Sequence, residues 1–279
     1  MRRNLFNIIT GTGIILVLAI FTVSCKKNQP SGNAANPANP TQTTVTTVDT
    51  NYTLVWSDEF NGTAVDTTKW NFETGGPNPN NEREYYQAAN ASVANGNLVI
   101  TAKKETVNNL LYTSARMNTL NKVSAQYGRI EARIKLPLGA GLWPAFWMLG
   151  TNINAVSWPQ CGEMDIMEHI NDTNTIYGTM HWSVSGAVQY GLTTQVSNPD
   201  DYHVYAIEWD TNSIRWYVDS TLYCTGNIQN DINNTGAFHL PFFVVLNLAV
   251  AGDFPGQTVD LSKLPASMYV DYVRIYKAQ

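Results

Sequence analysis

Short runs of alternating apolar and polar residues dominate the chain from about residue 52, and long helical periodicity is missing. In Gly128–Leu136 the side chains of Ile130, Ala132, Ile134 and Leu136 fall on one face, which predicts a half-buried strand. Further strands are predicted at 98–102, 204–209, 213–218 and 268–276, and the apolar run at 242–250 predicts a strand buried on both faces. Many short strands without helices predict an all-β fold of two sheets, curved enough to offer a concave face to a polymer.

The first fifty residues have a different pattern. Arg2 and Arg3 precede the apolar stretch Ile8–Val23, and small residues stand just before Cys25. This order predicts a lipoprotein signal peptide over residues 1–24, after whose removal Cys25 carries a lipid. The alternative is a signal anchor left in place, although a spanning helix needs ~20 apolar residues. Residues 25–50 are mostly Asn, Pro, Thr, Gln, Ala and Ser, which predicts a disordered linker before one folded domain over residues 51–279.

Charge narrows the range of partners. The chain has 17 Lys and Arg against 22 Asp and Glu, a formal net charge of −5. This balance gives no electrostatic basis for binding nucleic acid or an anionic membrane surface, so membrane contact is expected through the lipid alone. We expect this lipid to anchor the protein to a bacterial outer membrane, and the sequence does not distinguish its periplasmic face from its outer face.

Cys161 and Cys224 are expected to be free, buried thiols, with a single disulfide as the alternative.

The strongest candidate for chemistry is the acidic strand Gly162–Ile170. Regular alternation places Glu163 and Asp165 on one face but turns Glu168 into the core, where an unpaired charge is costly. A β-bulge at 166–167 would insert one extra residue and return Glu168 to the acidic face. The sequence therefore predicts three carboxyl groups in a row, with methionine and isoleucine side chains packed behind them.

A row of this kind suits glycoside hydrolysis. Sheet curvature would bring Glu163 and Glu168 toward the ~5–5.5 Å separation of a retaining glycosidase, in which one carboxylate attacks the anomeric carbon and the other protonates the leaving oxygen. Like charges this close raise the pKa of one acid, as a general acid needs, and Asp165 would orient the nucleophile. Two alternatives stay open: the row could bind a hard cation such as calcium, or it could be a solvated acidic strand without a role.

Several segments in order resemble the family-16 glycoside hydrolases, in particular the bacterial laminarinase-like endo-β-1,3-glucanases. The signature segment is Trp158–Glu168, including its bulge. The other matching segments are 56–62, 80–86, 112–116, 141–149, 178–182, 243–252 and 270–274. The resemblance implies a concanavalin-like β-jelly-roll sandwich with a concave substrate cleft, and hydrolysis with retention of configuration.

The resemblance also implies the role of each site residue. Glu163 becomes the nucleophile, Asp165 its helper and Glu168 the acid/base. Matching substrate-binding positions are two tryptophans expected to stack on glucose units and four polar residues: Trp143, Trp147, Asn80, Arg116, His181 and Asn247. Structural roles are the alternatives, because tryptophans pack in cores, a neutral histidine needs only local hydrogen bonds, and most Arg–carboxylate pairs are structural.

No cofactor is implied for the reaction, but many family members hold a structural calcium on the convex side. The matching ligands are the Glu59 carboxylate, the Gly96 carbonyl and the Asp271 carboxylate. Oxygen ligands from distant segments suit calcium. The alternative is that Glu59 and Asp271 are ordinary surface acids.

We therefore expect a monomeric endo-hydrolase of β-1,3-glucan such as laminarin, which tolerates mixed β-1,3/1,4 linkages. A β-galactanase acting on agarose or porphyran shares this fold and these acids, and a non-catalytic glycan-binding lipoprotein is the alternative from another class. The approach Trp158–Cys161 to the acidic strand favours glucan. Glu84, Ala251 and Phe254 depart from the family pattern, which usually has Gln, Gly and Trp there, so they could alter a subsite.

Overall fold

Antiparallel pairing joins nearly all strands of the computed structural model, which describes residues 51–279. The predicted signal peptide at 1–24, the lipidated Cys25 and the linker up to residue 50 lie outside the described residues. Within residues 51–279, no helix has the length and apolar character needed to cross a membrane.

The chain runs through seventeen strands with few helices between them in the described part. The first nine are β1 (Tyr52–Asp58), β2 (Asn71–Phe72), β3 (Glu84–Tyr86), β4 (Ala91–Ala94), β5 (Asn97–Ala102), β6 (Tyr112–Ser114), β7 (Arg116–Asn118), β8 (Gly128–Lys135) and β9 (Leu142–Gly150). The others are β10 (Glu163–His169), β11 (Thr175–Ser183), β12 (Ala187–Gln195), β13 (Tyr202–Trp209), β14 (Ser213–Val218), β15 (Thr221–Asn227), β16 (Phe242–Val250) and β17 (Ala266–Ala278). Helical segments are α1 (Ile153–Val156) and four 3-10 segments, Pro79–Asn81, Ala88–Asn90, Gln229–His239 and Leu261–Lys263.

These strands form two large sheets. Sheet 1 has the order β15-β14-β13-β8-β17-β5-β4, with β1 also paired to β17. Sheet 2 has the order β12-β11-β10-β9-β16-β7-β2, and β3 and β6 form a short parallel pair beside it. Half of the neighbouring pairs in these orders, such as β8-β17 and β9-β16, are distant in sequence, as in a jelly roll. The predicted all-β, two-sheet jelly-roll sandwich is confirmed.

The core lies between the two sheets. In β8 of sheet 1, Ile130, Ala132 and Ile134 are fully buried, as their alternation predicts. In sheet 2, every residue of β16 is buried, which confirms the strand predicted to be buried on both faces. Burial of one large apolar side chain contributes roughly 1.5–3 kcal/mol, so this shared core holds the sheets together. Cys161 and Cys224 are free and buried, as expected.

Candidate active site

The face of sheet 2 that points away from the core forms a cleft of about 820 Å³. Alternate residues of β9, β10 and β11 line the cleft, while their neighbours, such as Met148, Met164 and Met180, are buried in the core. All nine side chains predicted for chemistry or substrate binding line it: Asn80, Arg116, Trp143, Trp147, Glu163, Asp165, Glu168, His181 and Asn247. The structure thus brings together residues from six segments, while their individual roles stay predictions.

The acidic strand β10 contains the predicted bulge. Against β9, the register runs from Asp165 opposite Trp147 to Met167 opposite Phe146, which leaves Ile166 without a partner. Against β11, the pairs next to the irregularity are Asp165 with Thr179 and Glu168 with Tyr177. Ile166 and Met167 are both fully buried, and Glu168 rejoins the cleft face. The extra residue solves the conflict that regular alternation creates.

A buried tryptophan holds this bulge in place, and a glycine opposite the bulge leaves room for that tryptophan. The indole Nε1 of Trp216, on β14 of the other sheet, donates to the Asp165 carbonyl oxygen at 2.8 Å. Gly178 lies opposite the bulge, and a Cβ added there would stand 2.6 Å from Trp216 Cδ1 and 2.3 Å from the Tyr223 hydroxyl oxygen. A side chain at this position would displace Trp216, so glycine is needed for close packing rather than for backbone freedom.

Glu168 has the properties of a general acid. Burial raises the pKa of its carboxyl group well above the usual value, and the charges of Asp165 and Glu163 raise it further. A hydrogen bond of 2.9 Å from Trp143 Nε1 to Glu168 Oε1 acts in the opposite direction but does not overcome these effects. The raised pKa favours the protonated form of Glu168, which can give its proton to a leaving oxygen.

Glu163 and Asp165 form a second, coupled pair. Burial raises the pKa of Glu163 to about 8 and that of Asp165 to about 7, and the two side chains are hydrogen-bonded to each other. His181 Nε2 lies 2.9 Å from Asp165 Oδ2 and 3.8 Å from Glu163 Oε1. The charges of His181 and Arg116 favour the ionised form of Glu163, so this pair can hold one proton while Glu163 acts as the nucleophile.

The same three side chains form a group that could hold a cation, because their ligand atoms lie within 4.8 Å of one another. Calcium takes six to eight oxygen ligands, whereas this group offers two carboxyl groups and one imidazole nitrogen. The donor set therefore does not fit the calcium alternative for the acidic row.

The aromatic wall of the cleft is fixed by polar contacts. Trp147 Nε1 donates to Asn247 Oδ1 at 2.7 Å. The Arg116 guanidinium carbon lies 4.7 Å from the centre of the Trp147 ring, and Arg116 Nε is 3.0 Å from a Glu73 carboxylate oxygen. Arg116 is thus part of an ion pair, as its structural alternative had it, and also lines the cleft.

Sequence comparison places the chain in a known family. Residues 78–274 match the family described as Glycosyl hydrolases family 16. The chain belongs to this family.

Relatives of this family 16 chain cover most of residues 51–279. It is 44% identical over 232 residues to the clotting factor G alpha subunit of Tachypleus tridentatus, covering 81% of this chain but only 34% of that protein. Identity is 40% over 247 residues with a beta-glucanase of Rhodothermus marinus, covering 81% and 86%. It is 34% over 292 residues with a keratan-sulfate endo-1,4-beta-galactosidase of Sphingobacterium multivorum, covering 99% and 68%. The solved laminarinase of Rhodothermus marinus matches with a TM-score of 0.77 at 39% identity, covering 82% of this chain and 98% of that one.

Two aromatic residues of the family 16 cleft were not assigned a role from sequence. Trp158 lines the cleft with 47% of its surface exposed, and its ring centre lies 6.4 Å from that of His181. Phe254 makes edge-to-face contacts with Trp143 at 5.6 Å and with Tyr177 at 4.9 Å. Trp158 begins the signature segment, and Phe254 entered only as a departure from the family pattern, so large aromatics within or next to matched motifs were the available signal.

The calcium predicted for this family 16 chain finds no ready site among its three ligands. Both carboxylate oxygens of Glu59 accept hydrogen bonds from Arg274, at 2.9 and 2.8 Å. Asp271 Oδ2 lies 2.8 Å from Arg133 NH1. Because each acidic ligand already has an arginine partner, the set Glu59, Gly96 and Asp271 does not fit a calcium site as placed, and the ion-pair alternative describes it better. Catalysis in this family needs no cofactor.

Proposed function

We propose that this chain is a retaining endo-hydrolase of β-1,3-glucans such as laminarin, and that it tolerates mixed β-1,3/1,4-glucans. The observation that carries the proposal is the row of three carboxyl groups in an aromatic-walled cleft, where burial raises the pKa of Glu168. Relatives named beta-glucanase and laminarinase support the substrate class.

In the first step, Glu163 attacks the anomeric carbon as Glu168 gives its proton to the glycosidic oxygen. The bond between that carbon and the leaving oxygen breaks, and a glycosyl ester of Glu163 forms. The higher pKa of Glu163 favours the proton of the coupled pair on Glu163 in the free site, so for Glu163 to attack as a carboxylate that proton has to pass to Asp165 across their hydrogen bond. His181, 2.9 Å from Asp165, orients that side chain.

In the second step, Glu168 is a carboxylate and takes a proton from water. The hydroxide attacks the anomeric carbon from the side that the leaving group vacated, and the ester bond to Glu163 breaks. Two inversions restore the original configuration, and Glu168 ends protonated for the next cycle. In the free enzyme the charge of Glu163 contributes to the raised pKa of Glu168. That charge is absent once Glu163 is an ester, so Glu168 can then act as the base.

Substrate choice is tested by measuring reducing ends released from laminarin, lichenan and agarose. We expect release from laminarin, with proton NMR showing the β-anomer first. Glu163→Gln should abolish turnover while leaving binding of laminari-oligosaccharides nearly intact. Release from agarose alone would contradict the glucan proposal, and activity that survives in Glu163→Gln would contradict the assigned roles.

A galactan-cleaving enzyme is the second candidate. The galactosidase relative aligns with 99% of this chain, further than the beta-glucanase relative does. Its identity is lower, at 34% against 40%. Keratan sulfate in the same assay separates the two, because a galactanase should release reducing ends from it and leave laminarin intact.

We also propose that Cys25 carries a lipid and anchors the exported protein to a bacterial outer membrane. The order of basic residues, apolar stretch and small residues before Cys25 supports this. Metabolic labelling with radioactive palmitate should label the full chain, and Cys25→Ser should remove the label and release the protein from the membrane fraction. Unlabelled wild type in a host that labels a known lipoprotein would contradict the proposal.

A further inference from the structure

A second pair of buried acids, Glu82 at the edge of the cleft and Glu84 beside it, takes no part in the catalytic row. Glu82 is 7% exposed and Glu84, at the start of β3, is fully buried. Glu84 Oε2 accepts from the Val250 backbone N–H at 2.6 Å, Glu84 Oε1 accepts from Asn78 Nδ2 at 2.8 Å, and the Glu84 side chain is also hydrogen-bonded to Glu82. Neither acid has an arginine, lysine or histidine at ion-pair distance among the described residues.

A chain of hydrogen bonds connects this pair to the cleft. Trp147 Nε1 donates to Asn247 Oδ1 at 2.7 Å, and Asn247 Nδ2 donates to the Tyr86 hydroxyl at 3.2 Å. The Tyr86 hydroxyl donates to Glu82 Oε2 at 3.0 Å. We call this chain of three hydrogen bonds, from Trp147 through Asn247 and Tyr86 to Glu82, the relay. Every donor in the relay points toward Glu82. This direction fixes the orientation of the Asn247 amide, whose oxygen therefore faces the Trp147 N–H. Hydrogen bonds that run in one direction polarise and strengthen one another.

The relay requires Glu82 to accept, so the proton between the two acids belongs to Glu84. Burial raises the pKa of Glu84 to about 8, and the negative charge of Glu82 adds to the effect. The other titratable or charged groups beside the pair are Arg83, whose guanidinium carbon lies 5.4 Å from the centre of the Tyr112 ring, Tyr85 and Tyr86 on β3, Tyr112 on β6 and Arg116 on β7. Strand β16 contributes the Val250 N–H and Asn247. A neutral Glu84 can donate to Glu82 and still accept from Val250 and Asn78.

We propose that Glu82 and Glu84 share one proton and act as positioning residues, which orient Trp147 for sugar binding through Tyr86 and Asn247. This inference rests on the proposed function, because it names what sets one wall of the same cleft. The pair touches no reacting atom, so its effect belongs in substrate binding. When the shared proton is lost, Glu82 and Glu84 are both negatively charged in a buried space. Their repulsion moves the Glu82 carboxylate, which is the last acceptor of the relay.

Kinetics on laminarin from pH 6 to 9.5 separate this role from catalysis. In the wild type we expect KM to rise about tenfold on the alkaline side, in addition to any change in kcat. Glu84→Gln keeps the shape, one acceptor oxygen for the Val250 N–H and a donor toward Glu82, and it loses only the side-chain contact with Asn78, whose Nδ2 still donates to the Glu84 carbonyl oxygen. Its KM should therefore stay close to the wild type at pH 6 and remain flat to pH 9.5. Glu105→Gln, an exposed carboxylate with the same substitution, should keep the wild-type profile. A rise of KM in Glu84→Gln that equals the wild type would overturn the proposal.

Removing one link of the relay gives a second test. Tyr86→Phe deletes the hydroxyl that joins Asn247 to Glu82 and leaves the shared proton in place. We expect KM to rise roughly fivefold at every pH and kcat to stay within about twofold of the wild type. A loss confined to kcat would contradict a positioning role for the relay.

Thermal unfolding tests the shared proton without substrate. The folded chain keeps a proton on Glu84 that the unfolded chain releases above its ordinary value of 4.5, so wild-type stability is lost as pH rises from there to about 8. Glu84→Gln lacks this loss, so its Tm should gain on the wild type by ~5 °C between pH 5 and 9. A constant difference would refute the shared proton. Absence of laminarin hydrolysis would instead refute the proposed function and leave this readout standing.

Discussion

Two groups of carboxyl side chains lie on different sheets, and they differ in whether an arginine is placed beside them. In sheet 1, Glu131 is 1% exposed, yet Arg129 Nε lies 2.7 Å from one of its oxygens and the Tyr276 hydroxyl donates to the other at 3.2 Å. Arg129 also reaches Glu208 at 3.2 Å. Burial lowers the pKa of Arg129, but Glu131 and Glu208 raise it more, so the guanidinium stays charged between the two acids.

In sheet 2 the acids of the cleft have no such partners. Among the described residues, Glu163 and Asp165 have only His181 at ion-pair distance, and Glu168 has a single indole N–H. Desolvation therefore raises the pKa of all three. A buried acid paired with an arginine is costly to remove, because the arginine is left without its partner, whereas a buried acid without an arginine favours the protonated form that chemistry can use.

The largest effect should come from exchanging one acid in each group for its amide. Glu168→Gln removes the proton donor, so kcat/KM on laminarin should fall by ~10²–10⁴. Its Tm at pH 7 should not fall, because the amide removes a desolvated acid. Glu131→Gln should keep activity but lose about 2 kcal/mol of stability, or several degrees in Tm, since Arg129 loses its closest charge. A large loss of Tm in Glu168→Gln, or a large loss of activity in Glu131→Gln, would contradict this contrast between the two groups.

The second prediction concerns the bulge between Asp165 and Glu168, within the acids of the cleft. Gly178→Ala drives a methyl into Trp216 and the Tyr223 hydroxyl, and Trp216 holds the carbonyl of Asp165. We expect a cost of roughly 1–3 kcal/mol and a loss of up to ~10²-fold in kcat, because the carboxyl row shifts. Gly62→Ala is the control, as a Cβ there meets no atom closer than 3.5 Å. Full activity in Gly178→Ala would show that the bulge does not depend on this packing.

The bulge itself could be predicted from sequence, whereas its support could not. Acids at 163, 165 and 168 fit one face of β10 only if the alternation slips at Ile166, and the signal is local because strand periodicity is local. Trp216 reaches the same carbonyl from 51 residues away on the other sheet. Alternation predicts that this tryptophan is buried, but it does not predict what its N–H contacts.

The same limit applies to polar partners across the cleft. The six substrate-binding positions came from a resemblance, and the structure places them around one cavity. Glu82 and Tyr86 stood in a matched segment without a role, because their link to Asn247 joins residues 161 positions apart. The arginines that neutralise Glu59 and Asp271 were missed for the same reason. Periodicity shows which face of a strand a residue occupies, but the charge state of a buried acid depends on partners that are distant in sequence.

A smaller effect concerns the hydrogen bond that opposes protonation of Glu168. Trp143 Nε1 donates to Glu168 Oε1 and lowers the pKa of that acid. Since kcat falls when Glu168 loses its proton, Trp143→Phe should move the alkaline limb of kcat about one pH unit upward. Its KM should also rise, because a stacking surface becomes smaller. Trp158→Phe, a cleft residue with no hydrogen bond to Glu168, should leave that limb in place, and a limb unchanged in both variants would contradict the hydrogen bond's effect.

The smallest effect should come from an ion pair that is exposed rather than buried. Arg133 and Asp271 lie 2.8 Å apart with side chains 36% and 37% exposed, so water and salt screen the attraction. Asp271→Asn should cost ~0.2–1 kcal/mol, and the difference should shrink in 1 M NaCl. Measuring its Tm with calcium and with EDTA also tests the predicted metal site. A loss of several degrees that occurs only in calcium would show that Asp271 binds the ion, and that its contact with Arg133 gives way to a stronger interaction.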